Sequence, residues 1–176
     1  SMQARIIVGG WHPALHRLEV QTLLEAAGVE SEVEHPRVLR VDSDDLDVDI
    51  VGRCSSITRW LLGGGRVDHM DTEALLDTIL AAPGPAPPES DDRQQSIAVR
   101  VENIDGGGVG ISHSTLILEL GARLATMGWA FDLQAPDYEF VVVCVGEEQA
   151  QHPEIEQLPR EAHILWGLSQ PADSTS

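Results

Sequence analysis

Lysine is absent: all 11 basic residues of the 176-residue chain are arginine. Against 29 aspartates and glutamates this leaves a formal net charge of −18. Taken alone, that charge argues against nucleic acid, because phosphate contacts need positive groups. A strongly acidic surface is also the means by which halophiles stay soluble in concentrated salt, and the missing lysine fits the same bias. The expectation is a halophilic, salt-in source. In molar salt the Debye length shrinks to about 3 Å. Long-range repulsion then loses its reach, and contacts with an anion rest on a few local arginines, backbone N–H groups and stacking.

Cysteine is scarce as well. Cys54 and Cys144 lie far apart, each in or beside an apolar run and without metal-ligand spacing. They are predicted to be buried free thiols. No apolar run approaches the ~20 residues that cross a bilayer, so no membrane span is expected. The N-terminus shows no basic stretch followed by an apolar one, so no secretory signal is expected either. Ser1-Met2 reads as a remnant of tag removal, and the cytoplasm is the expected location. Aromatic residues are few and scattered. Trp11, Trp60, Trp129 and Trp166 read as core or interface residues rather than a base-stacking platform. What is present is 42% hydrophobic residues, enough to build the core of one medium domain or two small ones.

Periodicity divides the chain. Arg5–Val8 reads as a strand ending at Gly9-Gly10, and Pro13–Ala27 as a helix with Pro13 near its start and Gly28 as its stop. Val38–Val41 is a second strand. Asp42–Asp49 carries five aspartates, with Leu46, Val48 and Ile50 alternating among acids. It reads as a strand with one wet face, with a short helix as the alternative. Ser55–Leu62 reads as a helix or a strand, ended by Gly63-Gly64-Gly65. Asp71–Ala82 is a helix capped by Asp71 or Thr72, with Leu75, Leu76, Ile79 and Leu80 on one face. Pro83–Asp92 holds four prolines, one glycine and three acids. It reads as a semi-rigid linker, the clearest domain boundary in the chain.

Beyond the linker, Ser96–Val101 is a strand and Asp105–Gly110 a glycine-rich loop. Ser112 or Ser114 caps a helix that runs to about Met127 and stops at Gly128, with Leu116, Ile117, Leu120 and Leu124 as its apolar face. Ala135-Pro136-Asp137 is a turn. Tyr138–Val145 is a near-continuous apolar strand, expected at the centre of its sheet. Gly146–Arg160 reads as a loop, His163–Leu168 as a last strand and Pro171–Ser176 as a tail.

The motif search narrows the chemistry. The Gly106–Gly110 loop precedes a helix N-terminus, an arrangement that suits phosphate, but no Gly-Lys-Ser/Thr follows to make a Walker A site. His12 and His16 stand four apart with no further ligand, so an exposed helix face is favoured over zinc. Counted from Asp42, an EF-hand loop would need glycine at position six and glutamate at twelve. Asp47 and Arg53 stand there, so the acidic stretch reads as solvated surface. No Gly-x-Ser-x-Gly elbow is present. These readings leave no complete catalytic site.

Two stretches resemble a known family. One is Ser96-Ile97-Ala98-Val99-Arg100, then the glycine-rich loop and the helix containing Leu120-Gly121. The other is Phe131-Asp132-Leu133-Gln134-Ala135-Pro136-Asp137, followed by Tyr138-Glu139-Phe140-Val141-Val142-Val143. The pattern is similar to a THUMP domain, the RNA-binding module of tRNA-modifying enzymes, over roughly residues 92–146. Gly10-Trp11-His12-Pro13-Ala14-Leu15 with Glu19 resembles the opening of archaeal tRNA guanine-N2-methyltransferases, in which a ferredoxin-like lobe precedes the THUMP domain. His163–Ser174 resembles the segment before their methyltransferase domain. The family's (Asp/Asn)-Pro-Pro-(Tyr/Phe) catalytic motif is absent, and the one Pro-Pro pair is Pro87-Pro88. Glu102-Asn103-Ile104-Asp105 stands where family members carry further basic residues.

The resemblance implies an α+β (α/β) chain with a ferredoxin-like lobe over 1–82, a linker over 83–91, a THUMP-like lobe over 92–170 and a tail over 171–176. It implies tRNA as partner, docked by its 3′ acceptor end, and a methyltransferase domain that this chain does not include. No cofactor is expected here, and S-adenosylmethionine is expected for the full-length enzyme. Arg100, Ser112, His113, Ser114 and Arg123 are the expected RNA contacts, with no catalytic and no metal-binding residue. Arg100 has an alternative reading as the salt-bridge partner of Asp132 or Asp137. The alternative to RNA recruitment is an acidic stand-alone adaptor or scaffold that self-associates through a ferredoxin-like lobe.

Overall fold

The computed structural model describes residues 2–89, 93–147 and 158–171. The chain forms two compact units. The first comprises residues 1–63 and 147–161, the second 64–146 and 162–176.

The first unit runs β1 (Gln3–Val8), α1 (Pro13–Ala26), β2 (Glu32–His35), β3 (Val38–Asp42), α2 (Val48–Gly52) and the start of β4 (Ile57–Asp68). Its strands lie in the order β2-β3-β1-β4, with every neighbouring pair antiparallel. This βαββαβ course is the split-βαβ, ferredoxin-like arrangement. Ala4, Ile6 and Val8 alternate along β1 and pack with Leu39, Val41 and Trp60 against Val20 and Leu24 of α1. Leu15 and Leu18 of α1 are exposed, and Arg17, Val20 and Leu24 turn inward. The Arg17 guanidinium reaches the Pro36 carbonyl at 2.9 Å, so a long cation fills a place that the hydrophobic pattern gives to leucine.

The acidic stretch takes the helical alternative. Asp42 accepts from the Asp44 amide at 2.9 Å and caps a single 3-10 turn, and Asp47 accepts from the Asp49 amide at 2.9 Å and caps α2. Short aspartate side chains compete for local backbone donors and so favour caps over strand ladders. Four residues of β2 were not legible in the sequence, because Glu32, Glu34 and His35 break the apolar alternation.

The second unit begins at Gly64 within β4 and adds α3 (Thr72–Ala81), β5 (Ser96–Ile104), α4 (His113–Thr126), β6 (Ala130–Phe131), β7 (Tyr138–Val145) and β8 (His163–Ser169). Strands follow the order β4-β8-β7-β5-β6. β5 pairs in parallel with both β7 and β6, and β7 pairs antiparallel with β8. The valine strand β7 therefore has hydrogen-bonded neighbours on both sides. Its core joins Leu75 and Ile79 of α3, Leu116, Leu120 and Leu124 of α4, and Ile97, Val99, Phe140, Val142 and Ile164 of the sheet.

Two features depart from the sequence expectation. β4 does not stop at the triple glycine but runs through it, with Gly63 and Gly64 at φ +62° and +72°. A Cβ on Gly64 would come within 1.8 Å of the Trp166 carbonyl oxygen, so only glycine permits this approach. The unit boundary falls there rather than at the proline-rich stretch. Helix α3 belongs with the second core, and the described residues of the stretch lie along the same unit.

Candidate nucleic-acid interface

The site is built where β5 hands over to α4. Asp105 takes the left-handed conformation at φ 53°, and Gly106, Gly108 and Gly110 lie at φ +77°, +81° and +77°. Two close approaches fix the loop. A Cβ on Gly107 would come within 2.3 Å of the Cys144 carbonyl, and one on Gly108 within 2.2 Å of Asn103 Oδ1. Loop amides are used internally: Gly107 donates to the Ile104 carbonyl at 3.0 Å and Ile111 to the Gly108 carbonyl at 3.0 Å. The glycines thus serve a tightly packed turn.

Ser112 is the N-cap of α4, and its hydroxyl accepts from the Thr115 amide. Its own amide donates to Thr72 Oγ1 at 2.9 Å, so the start of α3 holds the start of α4. Ser114 stands within 3.4 Å of the Ser112 hydroxyl, and His113 Nε2 lies 3.0 Å from Asn103 Oδ1. The His113 and Ser114 amides have no intrahelical acceptor, as the first turn of any helix requires. With the helix dipole they make this end attractive to an anion. Ser112, His113 and Ser114 therefore stand together at this helix start, with the Ser112 amide and hydroxyl already given to Thr72 Oγ1 and Thr115 Oγ1.

The structure does not bring Arg100 or Arg123 to that helix start. Val99 and Val101 of β5 face the helices, so Arg100 between them faces the other side of the sheet. Its Nε donates to Glu139 at 2.7 Å and its Nη2 to the Leu133 carbonyl at 2.8 Å. The partner is Glu139 rather than Asp132 or Asp137, because Ala98 is the residue opposite Glu139, which puts Arg100 on the same face two positions on. Arg123 lies in the last turn of α4. Its guanidinium donates to the Leu80 and Ala82 carbonyls at 2.9 and 3.3 Å, satisfying acceptors that the end of α3 leaves over.

The Asp-Leu-x-x-Pro-Asp stretch is a piece of architecture. Asp132 accepts from the amides of Gln134 and Ala135 at 3.0 and 3.1 Å, closing the turn. These backbone donors, Ala135 first, hold its carboxyl below the usual range. Asp137 accepts from Arg93 at 2.8 and 2.5 Å and from the Ser96 amide at 3.0 Å. The Arg93 guanidinium, followed by the Ser96 amide, holds its carboxyl low. Asp137 thus ties the start of β5 to the start of β7. Sequence reasoning missed Arg93, Asn103 and Thr72. Each acts over ten residues or more, and only the placement of Thr72 beside a helix start hinted at a capping role.

The thiols are buried, as expected, and free. Burial among apolar neighbours pushes Cys144 up to about 11. Cys54 is raised chiefly by burial, with the Glu19 carboxylate adding to it. Three of the tryptophans are buried, whereas Trp11 is 83% exposed beside the His12 ring.

No family model and no curated protein matches the sequence. Among solved structures the chain is similar to TrmN from Thermus thermophilus, with 17% identity and a TM-score of 0.61 over 98% of this chain and 46% of that one. It is also similar to a 4-thiouridine synthetase solved as an RNA complex with bound ATP (13% identity, TM-score 0.46, 97% of this chain and 42% of that one). PH1313 from Pyrococcus horikoshii Ot3 gives 10% identity and a TM-score of 0.48 over 97% of this chain and 55% of that one. The chain spans roughly half the length of these structures. At such identities the TrmN likeness is one of fold: a mixed α+β architecture similar to THUMP domains.

Proposed function

We propose that this chain is a tRNA-binding module, acting on the acceptor end, of an S-adenosylmethionine-dependent tRNA guanine-N2-methyltransferase. The observation that carries the reading is the fold match to TrmN across 98% of the chain, joined to the first-turn amides of His113 and Ser114 at the start of α4. In this reading Ser112, His113 and Ser114 take a backbone phosphate with these amides. Arg100, a third exposed, contributes its remaining N–H donors to a second phosphate. Arg123 acts by holding the end of α3 against α4. Such contacts set register and orientation and carry no base-specific information. The methyl donor and the transfer step belong to a catalytic domain outside this chain, and the compartment is the cytoplasm of a halophilic archaeon.

The deciding measurement is tRNA binding by the purified chain in high KCl, with intact tRNA compared with tRNA shortened at its 3′ end. Tighter binding to intact tRNA, weakened by the paired substitutions Ser112→Ala and His113→Ala and by Arg100→Ala, supports the reading. A folded chain that binds neither species overturns it, and the acidic adaptor then becomes the better account.

A further inference from the structure

The proline-rich stretch lies across the second unit as a strap. Three strap residues meet the three residues that follow α4. Gly84 sits against the Met127 thioether, where a Cβ would come within 2.9 Å of Sδ. The Pro85 carbonyl accepts from the Trp129 indole Nε1–H at 2.7 Å. Pro87 Cγ lies 3.8 Å from where a Cβ on Gly128 would stand. Along the strap Gly84, Pro85 and Pro87 are half-buried, while Pro83, Ala86, Pro88 and Glu89 are exposed. Four prolines within residues 83–88 favour the extended polyproline II backbone. The four prolines fix their own φ and push the residue before each of them to extended backbone.

The surface beneath matches that ligand. Trp129 meets Tyr138 edge to face, with ring centroids 5.6 Å apart. An aromatic pair with an indole N–H aimed at a proline carbonyl is the chemistry that recognises proline-rich segments. The strap also fails to fill what it covers. A small apolar hollow of about 20 Å³ lies beside Gly84 and Pro85, lined by Ile79, Leu120, Leu124 and Phe140.

We propose that the surface formed by Met127–Trp129 and Tyr138 is a polyproline-recognition site. Its resident ligand is the chain's own Pro83–Pro88 strap, and an extended proline-rich segment of a partner protein replaces it when the strap lifts. Polyproline II has no internal hydrogen bonds, so lifting the strap breaks no secondary structure. A tethered ligand competes at an effective concentration on the order of millimolar, so a free peptide binds the wild-type chain weakly and a strap-weakened chain more tightly.

The test uses the full chain and a variant carrying Pro85→Ser, Pro87→Ser and Pro88→Ser. The probe is a synthetic peptide of residues 82–90, and the control is the same peptide with alanine for every proline. The Trp129 indole N–H resonance reports binding. The proline peptide is expected to shift that resonance in the variant, with an apparent Kd about tenfold or more below that of the wild type. The control peptide should leave it in place, and Tyr138→Leu should weaken the response. A folded variant whose indole resonance does not move at millimolar peptide overturns the proposal. So does equal affinity for the wild type and the variant, or an equal response to the control peptide. Should the triple variant fail to fold, Pro87→Ala alone is read by the same criteria.

Discussion

At the residue scale, the conspicuous polar side chains of the second unit are structural first. Asp137 joins the strands β5 and β7 at their starts through Arg93 and Ser96. Its carboxyl is depressed, so the folded chain binds fewer protons here than the unfolded chain does. The stabilisation is therefore present above the unfolded aspartate pKa and fades as pH falls through the folded one. Asp137→Asn should lower stability by about 1–2 kcal/mol at pH 7. Urea titrations should show the gap between variant and wild type closing as pH falls below the ordinary aspartate range. A gap that persists there would mean the carboxylate charge is not what matters. Cys144 works in the opposite direction of pH. With its thiol raised from 9.0 to about 11, the folded state holds its proton where the unfolded state has lost it. The contribution is complete below about pH 9 and is lost as pH rises towards 11. A thiol reagent at pH 8 should therefore label Cys144 only at the rate of unfolding; rapid labelling of folded protein would show the site to be open.

At the scale of elements, the caps and glycines decide more than the apolar pattern does. Ser112→Ala removes the N-cap of α4 and should cost about 1 kcal/mol, read as a drop in Tm. Because Thr115 Oγ1 also accepts from this hydroxyl, a change under a few tenths of a kcal/mol would show that the cap is replaced by water. Gly64→Ala should be far worse, about 3 kcal/mol or more, since the new Cβ meets backbone and the conformation is left-handed. These two positions also show what was legible. Ser112 was readable as a cap because a polar residue stands just before a helical run of leucines. β7 was readable because seven apolar or aromatic residues, interrupted by Glu139 alone, follow a turn. The glycines of β4 read as a stop, because glycine usually breaks a strand and nothing local reveals that Trp166 must approach closely. Likewise the proline-rich stretch read as a boundary, because its hold on Trp129 spans 44 residues. The site at the start of α4 was visible in one short segment. The true partners of Arg100 and Arg123 lie 39 and 43 residues away and were not.

At the scale of the whole molecule, the charge of −18 sets the conditions under which any function runs. Like charges crowd together on folding, and salt screens them, so stability should rise with KCl from 0.1 M into the molar range before levelling. Thermal melts across that series check it; a Tm that falls throughout would remove the halophilic reading. The proposed RNA binding would then follow an unusual rule. Ordinary basic domains release many counterions, and their affinity collapses as salt rises. Here the proposed contacts are neutral donors at the start of α4 and one arginine already paired with Glu139. Few phosphates are neutralised, so a plot of log affinity against log salt should have a slope no steeper than about −1 to −2. At low salt the self-charge should repel tRNA, and affinity should therefore pass through a maximum as KCl increases. Filter binding or fluorescence anisotropy from 0.1 to 3 M KCl separates the cases. A steep monotonic loss would point to a basic surface that 11 paired or scattered arginines do not supply, and it would require the recruiting surface to lie outside this chain.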